Sequence, residues 1–283
     1  MRNNIFIYSE NLNFFYLVNR ELNQLNIKFK VLNFGDKIPS IPCIIITTVK
    51  ELERIKSSNR KVVILSYDEN DNFSKFFLRV LASYRIGYKE QYSNLIFSID
   101  PGSKHIGLLI YLDDYYLNSH TIYNKENLII KINDYVQGLQ KTDDLISLKF
   151  KFGKGVLPMT RNLINNIYTL FKNRANMKFY LIDESKSSKI KIYNGSGARR
   201  RKIPKHEASA LVLSFRDGVK VNILSFQNDI NHINSNKLKK ENFLVKNIEN
   251  SNNILTFSEI AEKVLNGELS LSESTEMLKN LKY

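Results

Sequence analysis

Three carboxylates stand at places where a chain commonly exposes reactive groups. Asp100 closes the apolar run "NLIFSID" and is followed at once by a Pro-Gly turn. Glu184 closes "FYLIDE", with Asp183 beside it, and Glu207 opens the stretch "KHEASALVLSF". In α/β sheets, sites gather at strand ends. Acids that meet there from separate elements can hold hard divalent cations through oxygen. Two such cations about 3.5–4 Å apart activate water and stabilise the leaving oxygen of a phosphodiester. Each acid also has an ordinary structural use. An Asp before Pro-Gly bonds the backbone of its own turn, and a Glu in a first helical turn suits the helix dipole. The order sets them apart: strand-end acid, second strand-end acid, basic segment, helix-borne acid.

Other chemistry-bearing residues surround these three. His206, next to Glu207, can bind a metal or carry a proton near neutral pH. Lys104 and His105 follow Asp100 in "PGSKH". From Ser185 to Lys205 the chain reads "SKSSKIKIYNGSGARRRKIPK", with eight basic residues and no acidic one. Such a segment repels itself unless a polyanion is nearby. Lys186, Lys189, Arg199, Arg200, Arg201, Lys202 and Lys205, with Lys104 and His105, are the expected nucleic-acid contacts. The whole chain carries 42 Lys+Arg against 28 Asp+Glu, a net +14. A Lys-rich composition would raise the charge everywhere, so it is the clustering that points to nucleic acid.

The elements that must position these residues fall in two groups. "NIFIYS", "IKFKVLNF", "PCIIITT" and "KVVILSY" alternate with helical patterns, which predicts a small doubly wound parallel sheet over residues 1–92. Its strand ends hold Ser9-Glu10 and Thr47-Thr48, not the aspartates of a response-regulator receiver, so an interaction or scaffold role is expected there. Over residues 93–227 the strands "NLIFSID", "IGLLIYL" and "NSHTIYN" precede a helix, "KENLIIKINDYVQGL". Then come "LISLKFKFGKGVLP", a strand with a Gly-rich loop, and "TRNLINNIYTLFKNR", a helix for which Thr160 is the expected N-cap. "MKFYLIDES" is a buried strand, "PKHEASALVLSFRDG" a helix, and "KVNILSF" a last strand. Residues 228–283 read as a polar linker and two short helices, with Ser258 and Ser272 as expected caps. Ile260, Val264, Met277, Leu278 and Leu281 would dock on the body or on a second subunit.

Composition limits the remaining possibilities. Apolar content of 43% suits ordinary cores,. The lone Cys43 excludes an intrachain disulfide framework and suits a reducing cytosol,. No apolar run approaches the roughly 20 residues of a membrane span, and "MRNNIFIYSE" lacks the apolar core of a signal peptide. A soluble cytoplasmic protein without membrane contact is expected.

In order, the motifs make a family resemblance. Residues 94–226 resemble the RuvC-like branch of the RNase H-like nucleases. "IDPGSKHIGLLIY" is similar to the first motif, with Gly107 as its downstream glycine. "FYLIDESKSS" is similar to the strand-end glutamate motif, especially that of the YqgF subfamily. "KHEASALVLSF" is similar to the final helix. The resemblance implies an RNase H-like mixed-sheet domain and a metal-dependent endonuclease. Its ligands would be Asp100, Glu184 and Glu207, with Mg²⁺ or Mn²⁺ in a two-metal site. His206 would assist catalysis by contacting substrate or a metal-bound water. RuvC relatives cut four-way DNA junctions as dimers and YqgF relatives act on ribosomal RNA precursors. The basic segment fits either; branched DNA such as a Holliday junction, cut by a homodimer, is the expected reading, with an RNA-processing nuclease of YqgF type as the alternative. The sequence departs from the RuvC pattern at His206 and Ser209, where those resolvases often carry acids. Asp183 competes with Glu184, and His206 with Glu207, for the ligand positions. An actin-like phosphotransferase also places Asp-x-Gly after a strand, but it needs a second such loop, and "RDGVK" follows a helix. A nucleic-acid-binding protein that retains the fold without activity is a further alternative.

Overall fold

The computed structural model describes residues 4–55, 61–140, 146–184, 192–194, 201–223 and 255–280. It is a mixed α/β protein that divides into two compact units. One comprises residues 1–92 with 133–144, the other 93–132 with 145–283. The expected boundary after residue 92 is thus only one of the borders. Of the expected separate region 228–283, the described residues 255–280 belong to the second unit.

The first unit holds β1 (Asn4–Ile7), α1 (Leu12–Gln24), β2 (Phe29–Val31), β3 (Cys43–Thr48), α2 (Val49–Leu52), β4 (Val62–Tyr67) and α3 (Phe73–Arg85). Its strands lie in the order β2-β1-β3-β4, all parallel. This is the doubly wound pattern that strand–helix alternation predicts. Ile44, Ile45 and Ile46 are fully buried, as a parallel strand covered on both faces requires,. Phe14, Val18 and Leu22 recur every four residues and form the buried stripe of α1,. Asn11 caps α1 and Asn72 caps α3, each accepting the backbone N–H of the third helical residue, Phe14 and Lys75,. At the strand ends Glu51 accepts from the Glu10 N–H and the Thr48 hydroxyl.

The second unit holds β5 (Asn94–Asp100), β6 (Ile106–Leu112), β7 (Tyr115–Ile122), β8 (Ser147–Gly153), α5 (Leu157–Leu170), β9 (Met177–Ile182), β10 (Tyr193–Asn194), β11 (Arg201–Lys202), α6 (Lys205–Ser214) and β12 (Val219–Lys220). It ends in α7 (Phe257–Leu265) and α8 (Leu271–Asn280). Between β7 and β8 runs α4 (Lys125–Leu139), whose last turns belong to the first unit. The sheet order is β12-β9-β8-β5-β6-β7. β5, β8 and β9 are parallel, while β6 and β12 run antiparallel to their neighbours.

Two faces follow from the period of two along each strand. Phe97, Phe150 and Phe179 stack on one face, with ring centroids 5.1 Å apart at each step. Ile96, Ser98 and Asp100 point the other way, toward α6. There the Ser98 hydroxyl donates to the Ala210 carbonyl at 2.7 Å. Lys151 reaches the same face and donates to the Ser214 and Arg216 carbonyls at the end of α6. Burial lowers its pKa to about 8.

From Glu207 to Ser214 every residue of α6 is buried, because the helix lies between the sheet and the terminal helices. Ile260, Val264, Leu271 and Leu278 share its core. Asp114 ties α8 down by accepting from Ser272 and by its carbonyl to the Leu271 N–H. The terminal helices therefore dock on the body, although Met277 is exposed and Leu281 lies outside the described residues.

The helix caps fall elsewhere than expected. Thr256 caps α7 in a capping box with Glu259, and Ser270 pairs with Glu273 at the start of α8. Ser258 and Ser272 lie just inside those helices. Thr160 is no cap either. α5 already starts at Leu157 with Pro158 in its first turn, a place that suits proline,. The Thr160 hydroxyl donates to the Gly153 carbonyl instead.

Candidate active site

The register places five strands side by side at one level. Asp100 pairs with Gly107 on β6, and Gly107 with Thr121 on β7. On the other side Ile99 pairs with Phe152 and Gly153 with Ile182. Across the sheet the row therefore reads Thr121, Gly107, Asp100, Gly153 and Ile182, with Asp183 and Glu184 just beyond the end of β9. Asp100 is flanked by two residues without side chains, and each gap is filled from elsewhere.

Gly107 receives the backbone of α6. A Cβ there would stand 2.0 Å from the His206 carbonyl oxygen and 3.1 Å from the Glu207 nitrogen. This contact fixes the rotation of the helix. His206 turns its Nδ1 to Asp100 Oδ2 at 3.1 Å. Glu207, about 100° further round the helix, turns away. Its carboxylate accepts from the Ser119 hydroxyl at 2.5 Å and the Thr121 hydroxyl at 2.8 Å. The sequence reading had Glu207 facing Asp100 and Glu184, with His206 turned to substrate. In the structure His206 is the residue of α6 bonded to Asp100. Two β7 hydroxyls, unforeseen from the sequence, hold the carboxylate of Glu207, a buried residue.

Gly153 receives the carboxylate of Glu184. A Cβ on Gly153 would stand 1.9 Å from Glu184 Oε1, and one on Gly155 would stand 2.1 Å from Oε2. The Gly-rich loop is thus a cradle, and it bends Glu184 back across β8 toward β5. Oε1 is buried and lacks a hydrogen-bond partner among the described residues. Asp183 is exposed and points elsewhere, while its carbonyl accepts from Arg216. Of the two neighbouring acids, Glu184 is the one directed inward. Gly153→Ala should remove the cradle and displace Glu184. Any activity that depends on Glu184 should fall on the order of a hundredfold, as when a reacting group moves by about 1 Å, in a protein whose circular dichroism is unchanged.

Both inward acids hold their protons more tightly than free carboxylates. Burial raises the pKa of Asp100, and the His206 bond and the charges of His206 and Lys205 oppose it. Burial also raises that of Glu184. The Gly155 N–H and the charge of Arg216 oppose the shift, and the charges of Asp100 and Asp183 add to it. The charge of Asp100 therefore disfavours the ionised form of Glu184, and a cation between the two would relieve that.

Among the described residues no three His, Cys, Asp or Glu converge closely enough to form a metal site on their own. The donors present still fit hydrated Mg²⁺ or Mn²⁺. Mg²⁺ is commonly held by one or two carboxylates and keeps waters and phosphate oxygens as its other ligands. The unpartnered Glu184 Oε1 is an available oxygen of that kind.

The predicted nucleic-acid contacts divide. Lys104, Lys202 and Lys205 are exposed, and His105 is half-buried. Lys186, Lys189, Arg199, Arg200 and the side chain of Arg201 lie outside the described residues. His105 stacks on His206 with ring centroids 5.5 Å apart. Gly102 leaves room for that ring, since a Cβ there would lie 3.2 Å from His206 Cε1.

No family model matches the chain, and no curated protein matches it. Among solved structures, a Ppx/GppA family member from Aquifex aeolicus is 9% identical, with a TM-score of 0.15 over 70% of this chain and 68% of that one. The type II variant of the Aquifex aeolicus Ppx/GppA phosphatase is also 9% identical, with a TM-score of 0.14 over 71% and 72%. Scores that low do not establish a common fold. No described helix is long and apolar enough to cross a membrane.

Proposed function

We propose that this protein is a divalent-metal-dependent endonuclease of the RuvC-like kind, acting on branched DNA such as Holliday junctions. The observation that carries the reading is the pair of acids Asp100 and Glu184. They lie on one face at the carboxyl ends of parallel strands, each raised in pKa, with a helix-borne imidazole on one of them. The mixed sheet, with its first-motif acid on a central strand, is of the sort the RNase H-like resemblance implies. Asp100 and Glu184 are the residues that would hold Mg²⁺ or Mn²⁺. The bound ion would supply charge neutralisation at the phosphate and a more acidic water.

The chain's own groups account for the other requirements. With His206 Nδ1–H donating to the Asp100 carboxylate, the opposite ring nitrogen, Nε2, would be the atom placed to take or return a proton,. Asp100 thereby orients the imidazole as well as contributing charge. The Gly153–Gly155 loop keeps Glu184 at a fixed position, which a charge-stabilising site requires. Lys104, Lys202 and Lys205 supply phosphate contacts that position substrate without reading its bases.

Cation binding needs both acids ionised, so it competes with protons. Because both pKa values are raised, Mn²⁺ affinity should fall on acidification at a pH above the ordinary carboxylate range. Titration calorimetry in two buffers of different ionisation enthalpy should also show proton release on binding. Binding that is independent of pH down to the ordinary carboxylate range would contradict this assignment of the ligands.

The basic segment gives a second expectation. Neutralising Arg199, Arg200 and Arg201 removes up to three phosphate contacts, each releasing counterion. The slope of log K against log salt should flatten by up to about 2.7 on duplex DNA. Fluorescence anisotropy at several salt concentrations measures it. An unchanged slope would mean that substrate does not pass over this segment.

A further inference from the structure

Leading away from the acidic pair is a row of rings. His206 is bonded to Asp100. His105 stacks on His206, with an interplanar angle of 29°. Tyr123 meets His105 with centroids 5.2 Å apart at 66°. Tyr123 is 73% exposed, one of the most open large apolar side chains among the described residues. Its backbone is nevertheless held on both sides. Ile122, before it, is buried and paired with Ile106 across the sheet. Asn124, after it, accepts from the Asn127 N–H at the start of α4. An exposed aromatic ring on a held stretch of backbone thus lies in water two rings out from Asp100, with Lys104 exposed in the neighbouring turn. Exposed aromatic rings next to cationic side chains are the recurring means by which proteins hold unpaired bases: the ring stacks on the base and the cation meets the phosphate.

We propose that Tyr123, braced by His105, is the stacking platform for a nucleobase adjoining the scissile phosphate. The proposal deepens the nuclease reading and rests on it. Tyr123 is a positioning residue: it would hold the strand so that the phosphate lies over Asp100 and Glu184, and it would take no part in proton transfer. It favours substrates with an unstacked base at the cleavage point, as branch points and single-stranded stretches provide, over continuous duplex. Neither the charge clustering nor the acidic motifs of the sequence single out this residue.

The chain has no tryptophan, so Tyr123→Trp introduces a single indole fluorophore at the proposed contact. In chelator, a single-stranded oligonucleotide should quench that fluorescence, and an abasic strand of equal length and charge should quench it far less. Tyr123→Ala should weaken binding of the base-bearing strand on the order of tenfold, the effect of losing one stacked base. In cleavage the loss should fall on KM more than on kcat, and Tyr123→Phe should restore wild-type behaviour. Equal quenching by the abasic strand, or wild-type affinity in Tyr123→Ala, would overturn the stacking role. If that result comes with intact metal-dependent cleavage by the wild type, only the role of Tyr123 falls. If the wild type neither binds nor cleaves any nucleic acid, the nuclease reading falls with it.

Discussion

Asp100→Asn should leave a folded protein that, if the proposed nuclease reading holds, cleaves at least about a thousandfold more slowly, a barrier increase of about 4 kcal/mol. Asparagine keeps the size of the side chain, and its Oδ1 can still accept from His206 Nδ1. What disappears is the negative charge that would hold a cation on the central strand. The stability effect should have the opposite sign. Burial raises the pKa of Asp100 in the folded chain. The stability linked to its proton is therefore fully present below the unfolded pKa and is lost as pH rises through the folded one. At neutral pH the ionised carboxylate opposes folding, and the neutral amide does not. Without metal, the melting temperature of Asp100→Asn should equal or exceed that of the wild type. Addition of Mg²⁺ or Mn²⁺ should raise the wild-type value and leave the variant where it was. Thermal melts with and without metal, beside a cleavage assay, measure both effects. A variant that is inactive because it melts far below the wild type would mean that Asp100 is a structural turn residue.

Gly107→Ala should do the most damage to the fold. The new methyl would stand 2.0 Å from a carbonyl oxygen and 2.4 Å from a carbonyl carbon of His206. Both belong to the backbone of a buried helix, so neither can swing aside as a side-chain tip can. Overpacking in a close-packed interior costs about 1–3 kcal/mol, occasionally more, and this contact belongs at the upper end. A loss of about 3 kcal/mol lowers the melting temperature by roughly 6–12 °C in a domain of this size. The helix can relieve the clash only by lifting or rotating. Either movement separates His206 from Asp100 and Glu207 from Ser119 and Thr121. Calorimetry of the purified variant tests the stability, and its residual cleavage tests the coupling. A wild-type melting temperature would mean that α6 does not approach the sheet as closely as the structure has it.

Much of the path to this site is legible in the chain itself. Strand–helix alternation in the first part leads to a parallel sheet because buried parallel strands need continuous apolar runs such as "CIIITT". "NLIFSID" already implies that Ile96, Ser98 and Asp100 share a face, since side chains alternate along a strand. The inward role of Glu184 and the outward one of Asp183 could not be read from "FYLIDES". They depend on two glycines some thirty positions earlier that make room for one carboxylate and not the other. The rotation of α6 was equally hidden. Glu207 and His206 are neighbours in the chain, and the choice between them is made by a backbone contact at Gly107 and by hydroxyls on β7. The sequence carries a trace of both contacts: small residues recur in "FGKG", and "NSHTI" places Ser119 and Thr121 two apart on one face. The two serine caps erred by two residues because serine suits both a cap and a first turn. The tail was ambiguous because an amphipathic helix shows that it must be covered without showing by what.

The most direct test is a cleavage panel with purified protein: four-way junction, flap, duplex, single-stranded DNA and structured RNA, each with Mg²⁺, with Mn²⁺ and with excess chelator. Wild-type protein should cut the branched DNA in either metal and none of the substrates in chelator, and Glu184→Gln should cut none under any condition. Cleavage confined to structured RNA would keep the site and change its substrate. Cleavage that persists in chelator or in Glu184→Gln, or no cleavage of any substrate by the wild type, would contradict the account.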